Sequence, residues 1–188
     1  AESLGFDSVW TAEAYGSDCL TPLAWWGAAT ERINLGTAIV QMSARQPAAT
    51  AMAAMTLDHL SNGRFRLGLG SQVKGNVVGR FGASWTPPVG RMRDYVGAVR
   101  AVWSCWQNGT GLDFESPNYR LTRMQPFFNP GPIEHPHIPV YLGAVNPRMV
   151  ALAGEIADGL MTHPTNTSPL YLRERIARQL ALGAQRGG

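Results

Sequence analysis

Short apolar segments alternate along this chain with longer stretches whose apolar residues recur every three or four positions. The short segments predict β-strands at residues 6–12, 33–40, 65–70, 140–145 and 159–162, and the longer stretches predict α-helices at residues 22–30, 47–60, 91–106, 147–157 and 169–182. Residues 107–136, which are rich in Pro and Asn, predict an irregular excursion. Strands and helices that alternate at ~30-residue spacing are typical of a parallel sheet with right-handed crossovers.

Two architectures contain a sheet of this kind, an open doubly wound sheet and a (β/α)8 barrel. The almost wholly apolar segment 33–40 predicts a strand that is covered on both faces. A complete barrel needs ~250 residues, and the chain has 188. A barrel formed by this chain would therefore lack strands at both ends.

The two ends of the sequence favour a fragment. Residue 1 is not Met, and residues 1–5 resemble the last turn of a helix that stops at Gly5. Residues 181–188 leave the last predicted helix for Gly-rich sequence. We expect a chain that begins and ends inside a longer domain. Because its edge strands would be exposed, we expect the isolated chain to aggregate or to fail to bind a cofactor.

The composition argues against several classes of protein. With 45% hydrophobic and 15% charged residues the chain is not disordered, and no apolar run reaches the ~18 residues of a membrane helix. Cys19 and Cys105 are isolated, and His135 and His137 stand in a proline-flanked loop, so we expect no disulfide framework and no metal site. The net charge is +3, but Lys74 is the only lysine and the arginines are scattered, which argues against a nucleic-acid partner. A cytoplasmic protein with a small-molecule substrate is the expectation.

Familiar nucleotide and hydrolase motifs are not found in the sequence. The segment 68–70 begins like a dinucleotide fingerprint, but Val73 stands where the third glycine would be. There is also no P-loop and no G-x-S-x-G motif. These absences argue against a Rossmann site, a P-loop enzyme and an α/β-hydrolase.

Two turns that follow predicted strands offer binding groups instead. In both architectures the functional residues lie beyond the carboxyl ends of the strands. The turn at 143–147 joins a glycine to a helix start with Asn146 as the N-cap, where unpaired N–H groups favour an anion. The turn at 70–72 offers a hydroxyl and an amide. Ordinary turn chemistry would explain either turn alone, whereas two such turns on one sheet favour a phosphorylated cofactor.

Several segments in this order resemble a known family. They are GFDSVWTAE (5–13), INLGTAIV (33–40), RQPAATA (45–51), LSNGRFRLGLGSQV (60–73) and ADGLMTHP (157–164). The series resembles the luciferase-like monooxygenase superfamily, and GLGSQV with the later PVYLGAVNPRM resembles its branch of coenzyme F420-dependent oxidoreductases. The resemblance covers nearly the whole chain. It implies a (β/α)8 TIM barrel of the bacterial-luciferase type, of which residues 1–188 form one domain that is incomplete at both ends and holds about strands 2 to 6.

The resemblance also implies a cofactor site. A non-prolyl cis peptide between Ala38 and Ile39 would lie behind the central ring of a flavin or deazaflavin, and Gln41 would meet the ring edge. Phosphate-contacting turns would fall at residues 71–72 and 143–146. The cofactor-binding residues implied in this way are Ala38, Ile39, Gln41, Ser71, Gln72, Asn76, Gly143, Ala144, Val145 and Asn146.

The catalytic residues are less well matched to the family. Many members have an acidic residue followed by histidine after the second strand, and here Glu13 is followed by Ala14. Glu13 and Tyr15 are the catalytic candidates, with Glu13 expected to orient the cofactor or substrate rather than to donate a proton. Arg45 would meet an anionic group or form a salt bridge. The expected cofactor supplies the hydride chemistry, so the protein would need few acid–base groups.

The resemblance implies an F420-dependent oxidoreductase that transfers a hydride between the deazaflavin and an organic substrate. The alternatives are an FMN-dependent luciferase-like monooxygenase, a non-catalytic flavin-binding protein on a reduced barrel, and an inactive fragment. Because family members commonly form dimers or tetramers, a homodimer or homotetramer is expected at full length.

Overall fold

The computed structural model describes residues 1–164 and 168–188. Its strands are β1 (Ser8–Thr11), β2 (Asn34–Thr37), β3 (Val40–Gln41), β4 (Phe65–Gly70), β5 (Phe114–Glu115), β6 (Arg120–Leu121), β7 (Val140–Gly143) and β8 (Gly159–Met161). Its helices are α1 (Thr21–Ala28), α2 (Pro47–Leu60), α3 (Lys74–Gly79), α4 (Pro88–Asn108), α5 (Pro147–Ile156), α6 (Pro169–Tyr171) and α7 (Ala177–Gly187), with a π-helical turn at Leu172–Ile176 between the last two. The alternation of strands and helices predicted from the sequence is therefore confirmed.

The sheet is parallel, and its strands follow one another in chain order. The order is β1, β2, β4, β7, β8, and β3 also pairs with β4. Right-handed crossovers that all advance in one direction place every helix on the same face. A doubly wound sheet reverses direction instead, so the described strands have the topology of a (β/α)8 barrel.

The two faces of the sheet differ in side-chain size. One face shares a buried core with the helices, and its side chains are Leu35, Phe65, Leu67, Leu69, Val140 and Leu142. Glycines recur on the other face, and a side chain at Gly36 or Gly159 would overlap the ring of Trp10 or Tyr141. These two rings pack edge to face, with centroids 5.6 Å apart. Helices cover one face of segment 33–40 and side chains of the barrel interior such as Trp10 cover the other, so most of the segment is buried, as predicted.

A β-bulge divides that same segment into β2 and β3. Gly36 pairs with Arg66 and Val40 pairs with Leu69, so four residues on one strand oppose three on the other. The peptide between Ala38 and Ile39 is cis, as the resemblance implies. The sequence prediction of one continuous strand is wrong here because the apolar pattern does not record the extra residue.

The buried side chain of Thr37 closes the gap that the bulge leaves in the ladder. Its Oγ1 donates to the carbonyl of Gly68 at 2.9 Å and accepts the N–H of Gly68, also at 2.9 Å. Gly68 must be a glycine, since a side chain there would overlap the carbonyl of Thr37. The hydroxyl thus satisfies backbone groups that the strand itself cannot reach.

The C-terminal glycines belong to a helix–helix contact. The helix α7 extends to Gly187 and packs closely along α5. A side chain at Gly154, Gly183 or Gly187 would overlap a backbone carbonyl of the facing helix. The expectation that residues 181–188 leave the helix for irregular sequence is therefore wrong, because glycine here permits close packing.

The remaining segments add little regular structure. Residues 107–136 contain the antiparallel hairpin of β5 and β6 and a 3-10 turn at Pro126–Phe128. The short helix α3 was not predicted, since two of its six residues are glycines. Within the residues that the structure describes, no helix has the length and apolarity to cross a membrane.

Candidate active site

A cleft of about 980 Å³ lies at the carboxyl ends of the strands. Its walls come from the bulge at residues 38–39 and from the segments 70–73, 143–149 and 161–164, and Pro88 and Val89 of α4 close one side. A volume of this size is at the upper end for small-molecule sites, which usually enclose ~300–1,000 Å³. Four loops that are distant in sequence therefore meet where a barrel places its active site.

The side chain of Ile39 forms part of the floor of this cleft. It lies directly against Gly70, where a Cβ atom would overlap it, and Gly143 approaches it so closely that a Cβ would lie 3.1 Å from Cγ2. The two glycines end the neighbouring strands β4 and β7. They leave room for an apolar side chain that the bulge directs across both strand ends.

Polar atoms without partners follow the bulge. Gln41 is only 1% exposed, and its Nε2 donates to the carbonyl of Glu13 at 2.8 Å. Oε1 of Gln41 and Oγ of Ser43 are buried and have no hydrogen-bond partner among the described residues. Buried polar groups are almost always paired, so these two atoms are unusual, although neither residue is among those that line the cleft. The sequence analysis missed Ser43, which carries no motif of its own.

The turn after β4 contains the predicted cofactor residues Ser71 and Gln72, and a third, Asn76 of α3, binds Gln72. Ser71 and Gln72 line the cleft. Gln72 has a φ of 57°, which is uncommon outside glycine, and its Oε1 accepts Nδ2 of Asn76 at 2.9 Å. Asn76 does not line the cleft, so its side chain supports the turn instead.

The turn after β7 leads directly into α5. Gly143, Ala144, Val145 and Asn146 all line the cleft, as do Arg148 and Met149 of the first helical turn. Asn146 stands at the N-cap, but its side chain makes no capping hydrogen bond, which corrects the expectation from the sequence. The first N–H groups of a helix have no intrahelical acceptor and favour an anion.

Arg148 is a residue that the sequence analysis missed. Its side chain is exposed, lines the cleft, and makes no ion pair or hydrogen bond with the part of the chain that the structure describes. The signal was present in the sequence, because an arginine directly follows the Asn-Pro helix start. A cation at this position adds to the positive end of the α5 dipole.

The two catalytic candidates lie outside the cleft walls. Glu13 is bound to Gln41 and to Arg45, and Nη2 of Arg45 lies 2.8 Å from its carboxylate. Tyr15 is 76% exposed, and the guanidinium of Arg80 lies over its ring, 4.6 Å from the centroid. Of the two alternatives for Arg45, the structure shows the salt bridge.

The thiol of Cys19 lies near Glu13 and Arg45. Cys19 is buried, and burial raises the pKa of its thiol to about 12, with the nearby Glu13 carboxylate acting in the same direction. A thiol with this pKa stays protonated near neutral pH. Cys19 therefore behaves as a small apolar residue of the core.

Over residues 1–188 the sequence matches the family described as luciferase-like monooxygenase, and the chain belongs to that family. The family resemblance and the barrel fold predicted from the sequence are thereby confirmed.

Two relatives with named activities are similar to this chain over most of its length. A protein of Mycobacterium tuberculosis, assigned by its name to the coenzyme F420-dependent oxidoreductases, is 45% identical over 94% of this chain and 50% of its own length. The 5,10-methylenetetrahydromethanopterin reductase of Archaeoglobus fulgidus is 31% identical over 87% of this chain and 48% of its own length. The chain thus spans about half the length of these relatives.

Solved structures share the fold. The coenzyme F420-dependent tetrahydromethanopterin reductase of Methanopyrus kandleri superposes over 100% of this chain and 55% of its own, with a TM-score of 0.82 and 23% identity. An F420-dependent secondary alcohol dehydrogenase, solved with an F420–acetone adduct, covers 100% of this chain and 58% of its own, with a TM-score of 0.78 and 25% identity.

Proposed function

We propose that this chain forms the cofactor-binding part of an F420-dependent oxidoreductase, which transfers a hydride between the deazaflavin and a small organic substrate. The observation that carries the proposal is the cleft of about 980 Å³, in which an apolar floor lies between the turn that follows β4 and a second turn, after β7, whose helix start is suited to an anion. The names of the relatives in Mycobacterium tuberculosis and Archaeoglobus fulgidus support the same class of activity.

The residues of the cleft fit the cofactor part by part. Ala38 and Ile39 line the cleft and would supply an apolar surface for a flat ring. Gln41 and Ser43 follow the bulge, each with a buried oxygen that lacks a partner among the described residues, and would meet the ring edge when the cofactor is bound. Residues 71–72 and 143–146 would hold the phosphate, with Asn76 fixing Gln72. When bound, the deazaflavin supplies the hydride chemistry at its C5 position. The protein's own contribution is binding, orientation and the exclusion of water.

Glu13 and Tyr15 would act beside this surface rather than on it. Both oxygens of the Glu13 carboxylate already accept hydrogen bonds. The Tyr15 hydroxyl belongs to an exposed ring and would reach a substrate only at the edge of the site. We therefore assign neither residue as the proton donor.

The second candidate is an FMN-dependent monooxygenase, which the family name includes. A flavin and a deazaflavin have similar rings and both carry phosphate, so the floor and the two turns suit either cofactor. F420 extends beyond its phosphate into a carboxylate-bearing tail, and the exposed cation of Arg148 beside the second turn favours that tail.

The test is a titration of the protein at its full natural length with F420 and with FMN, each followed by fluorescence quenching. Saturable binding of F420 with weaker binding of FMN is expected. Tight binding of FMN without binding of F420 would assign the protein to the monooxygenases. A stoichiometric complex that turns over no candidate alcohol, aldehyde or enone would favour the non-catalytic flavin-binding protein.

The assembly and location are part of the same proposal. We propose a homodimer or homotetramer at full length that acts in the cytoplasm on a small molecule. Light scattering after size-exclusion chromatography would measure the assembly, and a monomer would contradict this part of the proposal without affecting the cofactor assignment.

A further inference from the structure

Glu13 connects the end of β1 to the chain that follows the bulge. Its side chain is only 8% exposed. One carboxylate oxygen accepts the backbone N–H of Gln41 at 2.8 Å, and the other accepts Nη2 of Arg45 at 2.8 Å. Its backbone carbonyl accepts Nε2 of Gln41 at 2.8 Å. Three hydrogen bonds therefore link Glu13 to residues that are about thirty positions away in sequence.

The carboxylate takes the place of a missing strand acceptor. The N–H of Met42 donates to Gly70 of β4, so the N–H of Gln41, one residue earlier, points to the opposite side. β1 would lie on that side, but its pairing with β2 ends at Thr11 and Thr37. Since no backbone carbonyl of β1 pairs with β3 in the described chain, the Glu13 carboxylate continues the hydrogen-bond pattern past the end of the strand.

Arg45 holds the carboxylate in this position. Burial alone would lower the pKa of the Arg45 guanidinium, but the hydrogen bond and the charge of Glu13 raise it above its ordinary value, so the side chain stays charged. The backbone carbonyl of Arg45 accepts the hydroxyl of Tyr95 at 3.1 Å, and the carboxylate of Asp18 lies 3.9 Å from Nη2. Arg45 is therefore anchored on three sides.

We propose that Glu13 and Arg45 are a positioning pair, which holds Gln41 and through it the Ala38–Ile39 bulge in the conformation that receives the cofactor. This role rests on the proposed function, and it differs from proton donation because the pair acts through Gln41 without touching the reacting atoms. The pair would thereby set the position of the apolar floor that Ala38 and Ile39 give to the cleft.

The test compares Glu13→Gln, Arg45→Met and the double variant, with F420 as the probe. Because the two residues act as one unit, each single change should raise the Kd for F420 about tenfold, and the double variant should be no weaker than the weaker single one. The matched control is Glu155→Gln, which alters another carboxylate–arginine pair, joined at 2.6 Å to Arg93 on the outer helices α4 and α5. This control should leave the Kd within about twofold of wild type.

Thermal unfolding without cofactor separates positioning from stability. At a comparable Tm, Glu13→Gln should lose more affinity for F420 than the control variant Glu155→Gln loses. The proposal is overturned if Glu13→Gln binds F420 like wild type, if the two single effects add in the double variant, or if affinity falls only in proportion to Tm. It is also overturned if Glu13→Gln keeps its affinity but abolishes a pH-dependent limb of turnover, since that result defines a proton donor. Failure of wild type to bind F420 or FMN would instead contradict the proposed function.

Discussion

Arg148 carries an exposed charge at the cleft, and its contribution to binding can be separated from that of the apolar floor. Replacing Arg148 by Ala should weaken the binding of F420 by about 1 kcal/mol, which is about fivefold in Kd. The effect is this small because water partly screens an exposed charge pair. The Kd for FMN, which has no carboxylate tail, should change less. Fluorescence titrations of both cofactors would measure the two shifts.

The control for Arg148 is Arg120→Ala, since Arg120 is an exposed arginine on β6 and does not line the cleft. It should leave both Kd values unchanged. Because exposed charges are screened at high ionic strength, the effect of Arg148→Ala on F420 should shrink when salt is raised from about 0.05 M to 0.5 M. Equal weakening of FMN and F420 would show that Arg148 does not contact the tail.

Individual site residues were predictable where the signal is local. Residues 71–72 follow the glycine that ends β4, residues 143–146 lead from the glycine that ends β7 to the start of α5, and all of them line the cleft. The contact between Glu13 and Gln41 spans 28 positions, so no local pattern records it. Ser43 was identified only from the structure, in which its buried hydroxyl lacks a partner among the described residues.

Helices α5 and α7 pack against each other through glycines, and this packing can be tested against helix propensity. Gly183→Ala would place a methyl group onto the backbone of Ala151, and backbone atoms cannot move aside cheaply. Overpacking costs ~1–3 kcal/mol, whereas Ala gains ~1 kcal/mol over Gly in a helix. We expect a net loss of stability of up to about 2 kcal/mol in urea-induced unfolding.

The matched control is Gly90→Ala in α4, where no atom lies within 4 Å of the new methyl group. With no overlap, only the propensity term remains, so stability should rise by up to ~1 kcal/mol. The two substitutions should therefore have opposite signs. A stabilising Gly183→Ala would mean that the close approach of α5 and α7 does not exist in solution.

Whole helices and strands were predictable where the apolar residues follow a single helical or strand period. The helix at 47–60 and the strand at 65–70 were predicted with the observed bounds, since proline starts the helix and Asn62-Gly63 follows it. The division of segment 33–40 was not, because a bulge adds a residue without changing the apolar pattern. The helix α3 was not predicted, because two of its six residues are glycines and glycine is typical of loops.

At the scale of the molecule, the barrel topology follows from repeated local units, whereas its stability depends on contacts between distant parts. The strands β1 and β8 stand at the two edges of the described sheet. The expectation that residues 1–188 alone aggregate or fail to bind cofactor stays a prediction. A soluble and F420-saturable preparation of just these residues would contradict it.

Glu2 provides a long-range contact whose contribution depends on pH. Its carboxylate accepts the N–H groups of Glu31, Arg32 and Ile33 and so ties the 3-10 turn at Glu2–Leu4 to the start of β2. Hydrogen bonds from Ile33 and Arg32 lower the pKa of Glu2 from 4.5 to about 2. Because the pKa of Glu2 is lower in the folded state than in the unfolded state, the charged carboxylate stabilises the folded protein above pH 4.5. This contribution is lost as the pH falls toward 2.

Glu2→Gln should therefore lower the Tm at pH 7, and its Tm should converge with that of wild type as the pH falls from 4.5 toward 2, because a protonated Glu2 resembles the amide. Glu31→Gln changes an exposed carboxylate beside the same contact, while the backbone N–H that binds Glu2 is kept. This control should follow the wild-type Tm at every pH. A Tm difference between wild type and Glu2→Gln that persists unchanged at pH 2 would mean that the side chain stabilises the turn by its shape and not by its charge.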